Sequence, residues 1–542
     1  MGRSGATPAP TGGETTMTER GMPAGVSDER SSPLTEGITP VRPIDRADLP
    51  WLGLGLGAGL LTVVVYLATN PYPAYGAGLY TQIAEQISSH GYGLPPRIPG
   101  YTADGVPFAY PPLQYYVLAA LLDLGADPVT VARLLPSVGM LASLVPMYLF
   151  AREYTGSRPA GTAASVAVAM NPQLVQWHLS AGGVVRAFAF LYALTAIYAG
   201  YRVFETGSKR AIGLGVVAFG ATLLAHPTYA LFVVVSYLSL WMARDRSVAG
   251  FVRGAVVGFG GLAIASPWLV WVVTTHGLDV FVAAGGTHGG VGGGVATILD
   301  GVSFALLPIL GAVYLYIVRR DVFLLGWTVT AELLFAQPRF VFTTGALVLA
   351  AVAVDLGNRV QSVDTRVATT VDARTILVGA CLLVGITSGG AYLAHEMTLT
   401  TDPSTPEFLD SESLDAMTWI ASETPPDATF VVVGDAAEWL PALTDRTLLI
   451  GPWGVEWRGS GPYERQLAAY EAVSRCQSAA CVESVTTSID ASPEYVYLPK
   501  GQYTIRGKSA AQFGTLERSF ERSPSWTRVY ENDGVVVYRT AD

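Results

Sequence analysis

At 542 residues, half of them hydrophobic and 14% charged, with a mean hydropathy of +0.38, the chain is too apolar for a water-soluble protein of its size and takes a lipid bilayer as its solvent. Its net charge of −10 is gathered in the tail, where 22 acids face 11 bases from Glu396 onward, and the whole chain holds three lysines. A surface so poor in base excludes nucleic-acid binding, which needs basic patches, and suits solubility in high salt.

Residues 1–48 are rich in Gly, Pro, Ser and Thr with no apolar period, the composition of a disordered cytoplasmic tail. The first apolar run, Trp51 to Thr69, is a full span rather than a signal peptide. Further runs predict spans over 128–150, 159–176, 184–203, 211–226, 227–243, 254–275, 297–318, 321–336, 338–356 and 375–394, about eleven in all for a polytopic α-helical membrane domain over 49–395. Cys381 falls in the last of them and reads as a small packed hydrophobe.

Between the first two spans lies a long loop, 70–127, dense in Tyr and Pro. Its PPLQYYVLAALLDLG run is apolar enough to pass for a span, and the distribution of bases decides against that. With the run kept out of the membrane, Arg152, Arg158, Arg202, Lys209, Arg210, Arg244, Arg246, Arg253, Arg319, Arg320, Arg359, Arg366 and Arg374 all fall in inside loops, as cytoplasmic loops require. The run then lies along the outer interface, where Tyr110, Tyr115 and Tyr116 keep their rings apolar and their hydroxyls wet. The N-terminus is inside and the C-terminal part outside the cytoplasm.

Residues 396–542 alternate helix and strand signals. A helix over 414–422 stops at Pro425-Pro426, strands follow at TFVVVGD, TLLIG and EYVYLP, a helix covers 463–474, and WTRVYENDGVVVYRT is a hairpin turning at Asp533-Gly534. This predicts an extracytoplasmic α/β domain without a GxGxxG or P-loop nucleotide site. Cys476 and Cys481 lack zinc-ligand spacing; outside the cell they either pair as a disulfide or stay free.

Four arginines depart from the inside pattern: Arg97, Arg133, Arg186 and Arg339 sit on the outer side at or near span ends. Each reads as an interfacial anchor or, taken together, as the holder of a lipid phosphate, which guanidinium grips by permanent, bidentate charge. His90, His178, His226, His276, His288 and His395 also sort to the outer face, and no pair has metal-ligand spacing. His226, before Pro227 at a tight turn, either caps a helix or donates to a substrate. The outward carboxylates are Glu85, Asp104, Asp123, Asp127, Asp279, Asp300 and Glu332. Asp104 lies in TADGVPF, reachable by substrate or simply forming an Asp-Gly turn. Glu85 sits on a short interfacial helix, LYTQIAEQISSH. Glu332, seven residues before Arg339, reads as an ion pair across that turn. The Gly-rich stretch 276–295 has no Walker lysine and reads as a mobile outer loop.

PFAYPPLQYY, Ala132-Arg133-Leu134 and Gln337-Pro338-Arg339-Phe340, with DAMTWIASETPPDATFVVVGD, EWLPALTDR and GPWGVEW in the tail, resemble the polytopic GT-C glycosyltransferases, relatives of protein O-mannosyltransferases, aminoarabinose transferases and the oligosaccharyltransferase catalytic subunit. The resemblance implies transfer of a sugar from a polyprenyl-phosphate-linked donor to a glycan or protein acceptor outside the cytoplasm. It implies a phosphate role for Arg133 and Arg339, with Arg186 added; Tyr110 and His226 complete the substrate-binding candidates. The chain departs from the family where it places an acid just after the first span: no Asp or Glu occurs between Asp48 and Glu85. Asp104 or Glu85 then serves as the base, or the chain is a silent relative that binds lipid-linked sugars, or a transporter. The same departure removes the clustered carboxylates that a divalent metal would want.

Overall fold

The computed structural model describes residues 44–287, 306–335, 337–363, 373–396, 404–510 and 514–541. The expected cytoplasmic tail up to residue 43, the Gly-rich loop from His288 onward, Asp300 and the Cys381 side chain lie outside the described residues. The helices are α1 (Leu49–Thr69), α2 (Gly78–Ser89), α3 (Leu113–Asp123), α4 (Pro128–Thr155), α5 (Arg158–Ala169), α6 (Pro172–Leu179), α7 (Gly183–Thr206), α8 (Lys209–Leu223), α9 (Pro227–Arg244), α10 (Val248–His276), α11 (Asp279–Thr287), α12 (Leu306–Arg319), α13 (Val322–Leu334), α14 (Pro338–Val363) and α15 (Ala373–Glu396), followed by the mixed C-terminal part.

Each expected span meets a helix, and one is cut in two. The 159–176 run breaks at Asn171-Pro172, where the asparagine side chain accepts from the Gln173 and Leu174 amides and starts a new helix, because proline at the first helical position has no amide to lose. Among the described residues five helices are long and apolar enough to cross a membrane, namely α1, α4, α7, α10 and α14. Helix α3, at 11 residues, rises about 16 Å, half of the hydrocarbon thickness, so the Tyr-rich run is too short to cross.

One end of the bundle is closed by ion pairs. Arg152 pairs with Asp48, Arg158 with Asp45 at 3.0 Å, Arg202 with Glu153 at 3.9 Å, Arg244 with Glu205 at 2.9 Å, Arg253 with Asp245 at 2.9 Å, and both Arg319 and Arg359 with Asp355. Each pair satisfies charges that bilayer or protein would otherwise desolvate alone.

The opposite end carries the loop and the α/β part. A five-stranded sheet runs in the order β4-β3-β5-β9-β8, with β3 (Thr429–Val432) parallel to β4 (Thr447–Leu448) and to β5 (Tyr495–Pro499), while β8 (Trp526–Glu531) and β9 (Val535–Thr540) form the antiparallel hairpin. Between them a small hairpin, β6 (Tyr503–Ile505) and β7 (Lys508–Ala510), stands apart. The loop's own hairpin, β1 (Arg97–Ile98) with β2 (Val106–Pro107), approaches the exposed edge of the large sheet: the Thr102 amide donates to Leu448 and the Leu448 amide to Gly100, both at 2.8 Å. Residues Ile83, Tyr101, Phe108 and Tyr115 of the loop share one buried cluster with Phe430, Trp439, Leu448 and Tyr497 of the sheet layer. The loop and the α/β part are thus one hydrophobic body. Cys476 and Cys481 are joined in a disulfide.

Within that body Arg446 is buried and closes the end of helix Ser411–Glu423, donating to the Ala421 carbonyl at 2.8 Å, the Thr424 carbonyl at 2.6 Å and hydroxyl at 3.0 Å, and to the Thr444 carbonyl at 2.8 Å. Arg446→Ala leaves these acceptors unsatisfied and is expected to lower stability by about 2–4 kcal/mol, read as the shift of the chemical unfolding midpoint in detergent.

Candidate functional site

The site is assembled where the first span ends. The chain from Asn70 to Gly78 leaves α1 extended and is pinned along its length: the Asn70 amide group donates to Thr405 at 2.9 Å, the Tyr72 amide to Glu407 at 2.8 Å, the Tyr75 amide to Pro406 at 2.7 Å and the Ala181 amide to Ala74 at 2.9 Å. Tyr75 is held at a φ of 59°, a conformation unfavourable for a residue with a Cβ. That backbone turns its ring onto Trp177, stacked at 5.4 Å and 20°, while its hydroxyl accepts from Gln176 at 2.7 Å.

Arg186 lies over the other side of the site. Its guanidinium stands 5.4 Å from the Trp177 ring and folds back so closely on Gly182 that a Cβ there would meet it at 2.0 Å. Arg339 is buried, 6% exposed; it donates to Gln337 and lies 5.5 Å from the Tyr229 ring and 5.4 Å from Phe340. Among the described residues its Nε has no partner. The expected ion pair with Glu332 is not formed, since Arg339 turns toward Tyr229 and Gln337 instead. Arg186 and Arg339 are electrostatic neighbours, and among the described residues neither has a carboxylate partner. Both stand in the first turn of a helix, α7 and α14, the positive end of the peptide dipoles and the worse end for a cation.

Tyr229 joins these parts. His178 presents Nδ1 to the Leu174 carbonyl at 2.7 Å, so that nitrogen carries the proton and Nε2 accepts from the Tyr229 hydroxyl at 2.7 Å. His226 meets the Tyr229 ring edge-on at 5.3 Å and caps α9 by accepting from the Thr228 amide at 3.3 Å, so the helix-end reading of this histidine describes the bond it makes.

Beyond Arg186 the wall is aromatic and acidic. Tyr80 and Tyr115 are 5.6 Å apart, Tyr115 and Tyr110 5.9 Å, and Tyr110 lies 4.8 Å from Trp457 while its hydroxyl donates to Glu456. Tyr80 has Arg186, Glu438 and Glu456 as electrostatic neighbours. Glu438, from the turn that follows β3, is 7% exposed; burial, with Asp435 adding to it and Arg506 and Arg186 opposing, pushes its carboxyl up to about 8.

The remaining candidates point elsewhere. Arg133 donates through Nε to the Asn70 carbonyl at 2.7 Å and through Nη2 to Leu67, a cation closing the unpaired carbonyls at the end of α1. Asp104 is exposed at the tip of the β1–β2 hairpin, where Arg97 donates to its carbonyl and Arg458 is its electrostatic neighbour. Glu85 stands five positions beyond Tyr80 on α2, about 140° around the helix, and faces Asp445. Among the described residues neither acid bonds to Arg133, Arg186 or Arg339. No group of three His, Cys, Asp or Glu side chains able to hold a metal ion occurs among the described residues. Sequence reasoning passed over Tyr229, Trp177, Tyr75 and Glu438; the nearest signals were the His226-Pro227 turn just before Tyr229 and the glycines of the YGAGLY stretch.

Comparison with known proteins bears on the fold. The family of dolichyl-phosphate-mannose-protein mannosyltransferases is matched by residues 109–271, from the Tyr-Pro run into α10. Among solved structures, ArnT from Cupriavidus metallidurans bound to undecaprenyl phosphate superposes with a TM-score of 0.57 at 13% identity, covering 90% of this chain and 98% of that one. The arabinofuranosyltransferase AftD from Mycobacteria gives 0.57 at 13% identity over 91% of this chain, which spans 40% of AftD. The Archaeoglobus fulgidus oligosaccharyltransferase, in complex with Zn and sulfate, gives 0.52 at 14% over 85% of this chain and 73% of that chain. No protein of curated function matches the sequence. The chain therefore shares the fold of these three structures.

Glu85 supplies a test of the loop's electrostatics. Burial and the facing Asp445 push its carboxyl up to about 7, so the folded chain holds this proton more tightly than the unfolded one. Stability is then greatest below the unfolded carboxyl value of about 4.3 and falls as pH rises from there to about 7. Glu85→Gln is expected to match the wild type at pH 4 and to melt higher than it at pH 8, in thermal unfolding followed in detergent.

Proposed function

We propose that the chain is a membrane glycosyltransferase that takes a sugar from a polyprenyl-phosphate-linked donor, at the membrane face covered by the α/β domain and outside the cytoplasm. The observation that carries this reading is the pair Arg186 and Arg339. Two cations stand together at helix N-termini, one of them buried with an Nε unpaired among the described residues, and among those residues neither forms an ion pair with a carboxylate. Such an arrangement is costly until an anion completes it, and N-terminal helix amides add to the attraction for phosphate. The departing lipid phosphate is that anion, and its charge grows as the glycosidic bond breaks, so the pair stabilises the transition state more than the ground state.

Four features support the reading. Residues 109–271 match a family of dolichyl-phosphate-mannose-protein mannosyltransferases, and one structural neighbour binds undecaprenyl phosphate. The Cys476–Cys481 disulfide suits a compartment outside the reducing cytoplasm. Tyr75, Tyr80, Tyr110 and Trp457 offer the aromatic faces and hydroxyls on which a sugar rests. To Arg133 we assign the structural role that its bonds to the α1 carbonyls describe. A second reading, a silent relative that binds and presents lipid-linked sugars, draws on the absence of any acid between Asp48 and Glu85; binding without turnover would favour it.

Undecaprenyl phosphate binding to the purified chain tests the phosphate site. Arg339→Gln is expected to weaken it about 10- to 100-fold, the worth of about 1.5–3 kcal/mol for charge-assisted hydrogen bonds, and Arg186→Gln by a smaller factor. Arg133→Gln is expected to lower the melting temperature and leave the affinity of the folded fraction near that of the wild type. Unchanged affinity in Arg339→Gln would remove the phosphate assignment.

A further inference from the structure

The stretch after the first span has no acid of its own, yet a carboxylate stands there. A Cβ built on Gly76 would meet Glu438 Oε2 at 1.9 Å and its Cδ at 2.1 Å, so the acidic group occupies the space where a side chain at position 76 would begin. A Cβ on Gly78 would meet the Glu438 carbonyl at 2.0 Å, and the Tyr101 hydroxyl donates to that same carbonyl at 2.6 Å. Two glycines and one tyrosine of the loop therefore seat the Asp435–Glu438 turn of the α/β part against the stretch that follows the first span.

The other acids in the cluster are engaged. Asp435 accepts from the Tyr470 hydroxyl, from the Arg506 amide at 2.9 Å and from the Gly507 amide at 2.7 Å; Glu456 accepts from Tyr110. Glu438 forms no ion pair among the described residues and has the Trp453 indole as its hydrogen-bonding neighbour. A buried carboxyl without an ion pair costs folding free energy, and glutamine would fill the same space without that cost. Its chemistry, rather than its packing, accounts for it.

We infer that Glu438, donated by the α/β domain, is the general base of the site, standing beside Arg186 where the loop itself has only Gly76. This rests on the glycosyl-transfer reading above. The acceptor hydroxyl oxygen attacks the anomeric carbon of the donor and forms the new C–O bond. The C–O bond to phosphate breaks, and its electron pair leaves on the phosphate oxygen facing Arg186 and Arg339. The hydroxyl proton passes to the Glu438 carboxylate and from there to water. The groups that set the charge of this carboxyl are Asp435 on its own turn, Arg506 from the β6–β7 hairpin, Arg186 from α7, Tyr80 from α2, Tyr101 from the loop and Tyr470 from the helix Ser460–Val473. With the carboxyl raised to about 8, transfer should climb with pH across the neutral range.

The test uses the full chain in lipid nanodiscs with a panel of undecaprenyl- and dolichyl-phosphate-linked hexoses and pentoses, reading sugar released from lipid. Glu438→Gln is expected to lose about 100-fold or more of the turnover while binding undecaprenyl phosphate within about 3-fold of wild type. Glu438→Asp, which keeps a carboxylate, is expected to recover part of the rate and to shift the rising limb of the pH profile. Gly76→Ala, which pushes the carboxylate aside, is expected to lower turnover and leave lipid-phosphate binding in place. Turnover in Glu438→Gln within about 3-fold of wild type, with an unchanged pH profile, overturns the base and leaves the transfer reading standing. A wild type that binds undecaprenyl phosphate and releases sugar from no member of the panel overturns the transfer reading and the base with it.

Discussion

A buried guanidinium with no carboxylate partner among the described residues is the constraint around which this molecule is arranged. Arg339 is 6% exposed and keeps an unpaired Nε, in a protein that elsewhere pairs its membrane-end arginines one after another with Asp45, Asp48, Glu153, Glu205, Asp245 and Asp355. The contrast between the two ends is chemical as well as geometric. One end neutralises charge within the chain and is finished when folded. The other leaves positive charge beside Tyr229 and Trp177, whose ring faces offer partial compensation, with no acidic partner among the described residues.

Holding that incomplete charge in place demands rigidity, and the supporting layer is built from both ends of the sequence. The loop supplies Tyr75, Gly76, Tyr80 and Tyr110, and the α/β part supplies Glu438, Glu456 and Trp457. Their backbones are tied by the Asn70–Thr405, Tyr75–Pro406 and Thr102–Leu448 hydrogen bonds and by one shared apolar cluster. The strained φ of Tyr75 persists because its amide, ring and hydroxyl are each held by a different neighbour. A loop fastened in this way resembles a wall more than a lid.

How much of this was legible in the sequence follows from the range of each interaction. The helices were legible because apolar runs of membrane length are local signals. The strands of the tail were legible from TFVVVGD, EYVYLP and the Asp-Gly hairpin for the same reason. The side-chain partners were not. Arg133 and Arg339 carry the same charge at similar positions relative to a span, yet one reaches back to Leu67 and Asn70 while the other is enclosed by Tyr229 and Phe340. Glu332 lies seven residues from Arg339 and does not meet it. Asp104 and Glu85 were the acids closest in sequence to the Tyr-Pro run, whereas the acids that meet the loop in space are Glu407, Glu438 and Glu456, placed there by the packing of two segments and by no motif in either.

The Tyr110–Glu456 hydrogen bond joins residues 346 positions apart, and the Asn70–Thr405 bond joins residues 335 apart. At a synthesis rate of about 5–20 residues per second, the ribosome takes roughly 20–70 s to deliver the second half of such a pair after the first. For that interval the loop is already membrane-bound with Ile83, Tyr101 and Phe108 uncovered and with no acid beside Gly76. The wall of the candidate site is therefore completed last, and in a chain interrupted at any point before the α/β part the acid beside Gly76 is missing.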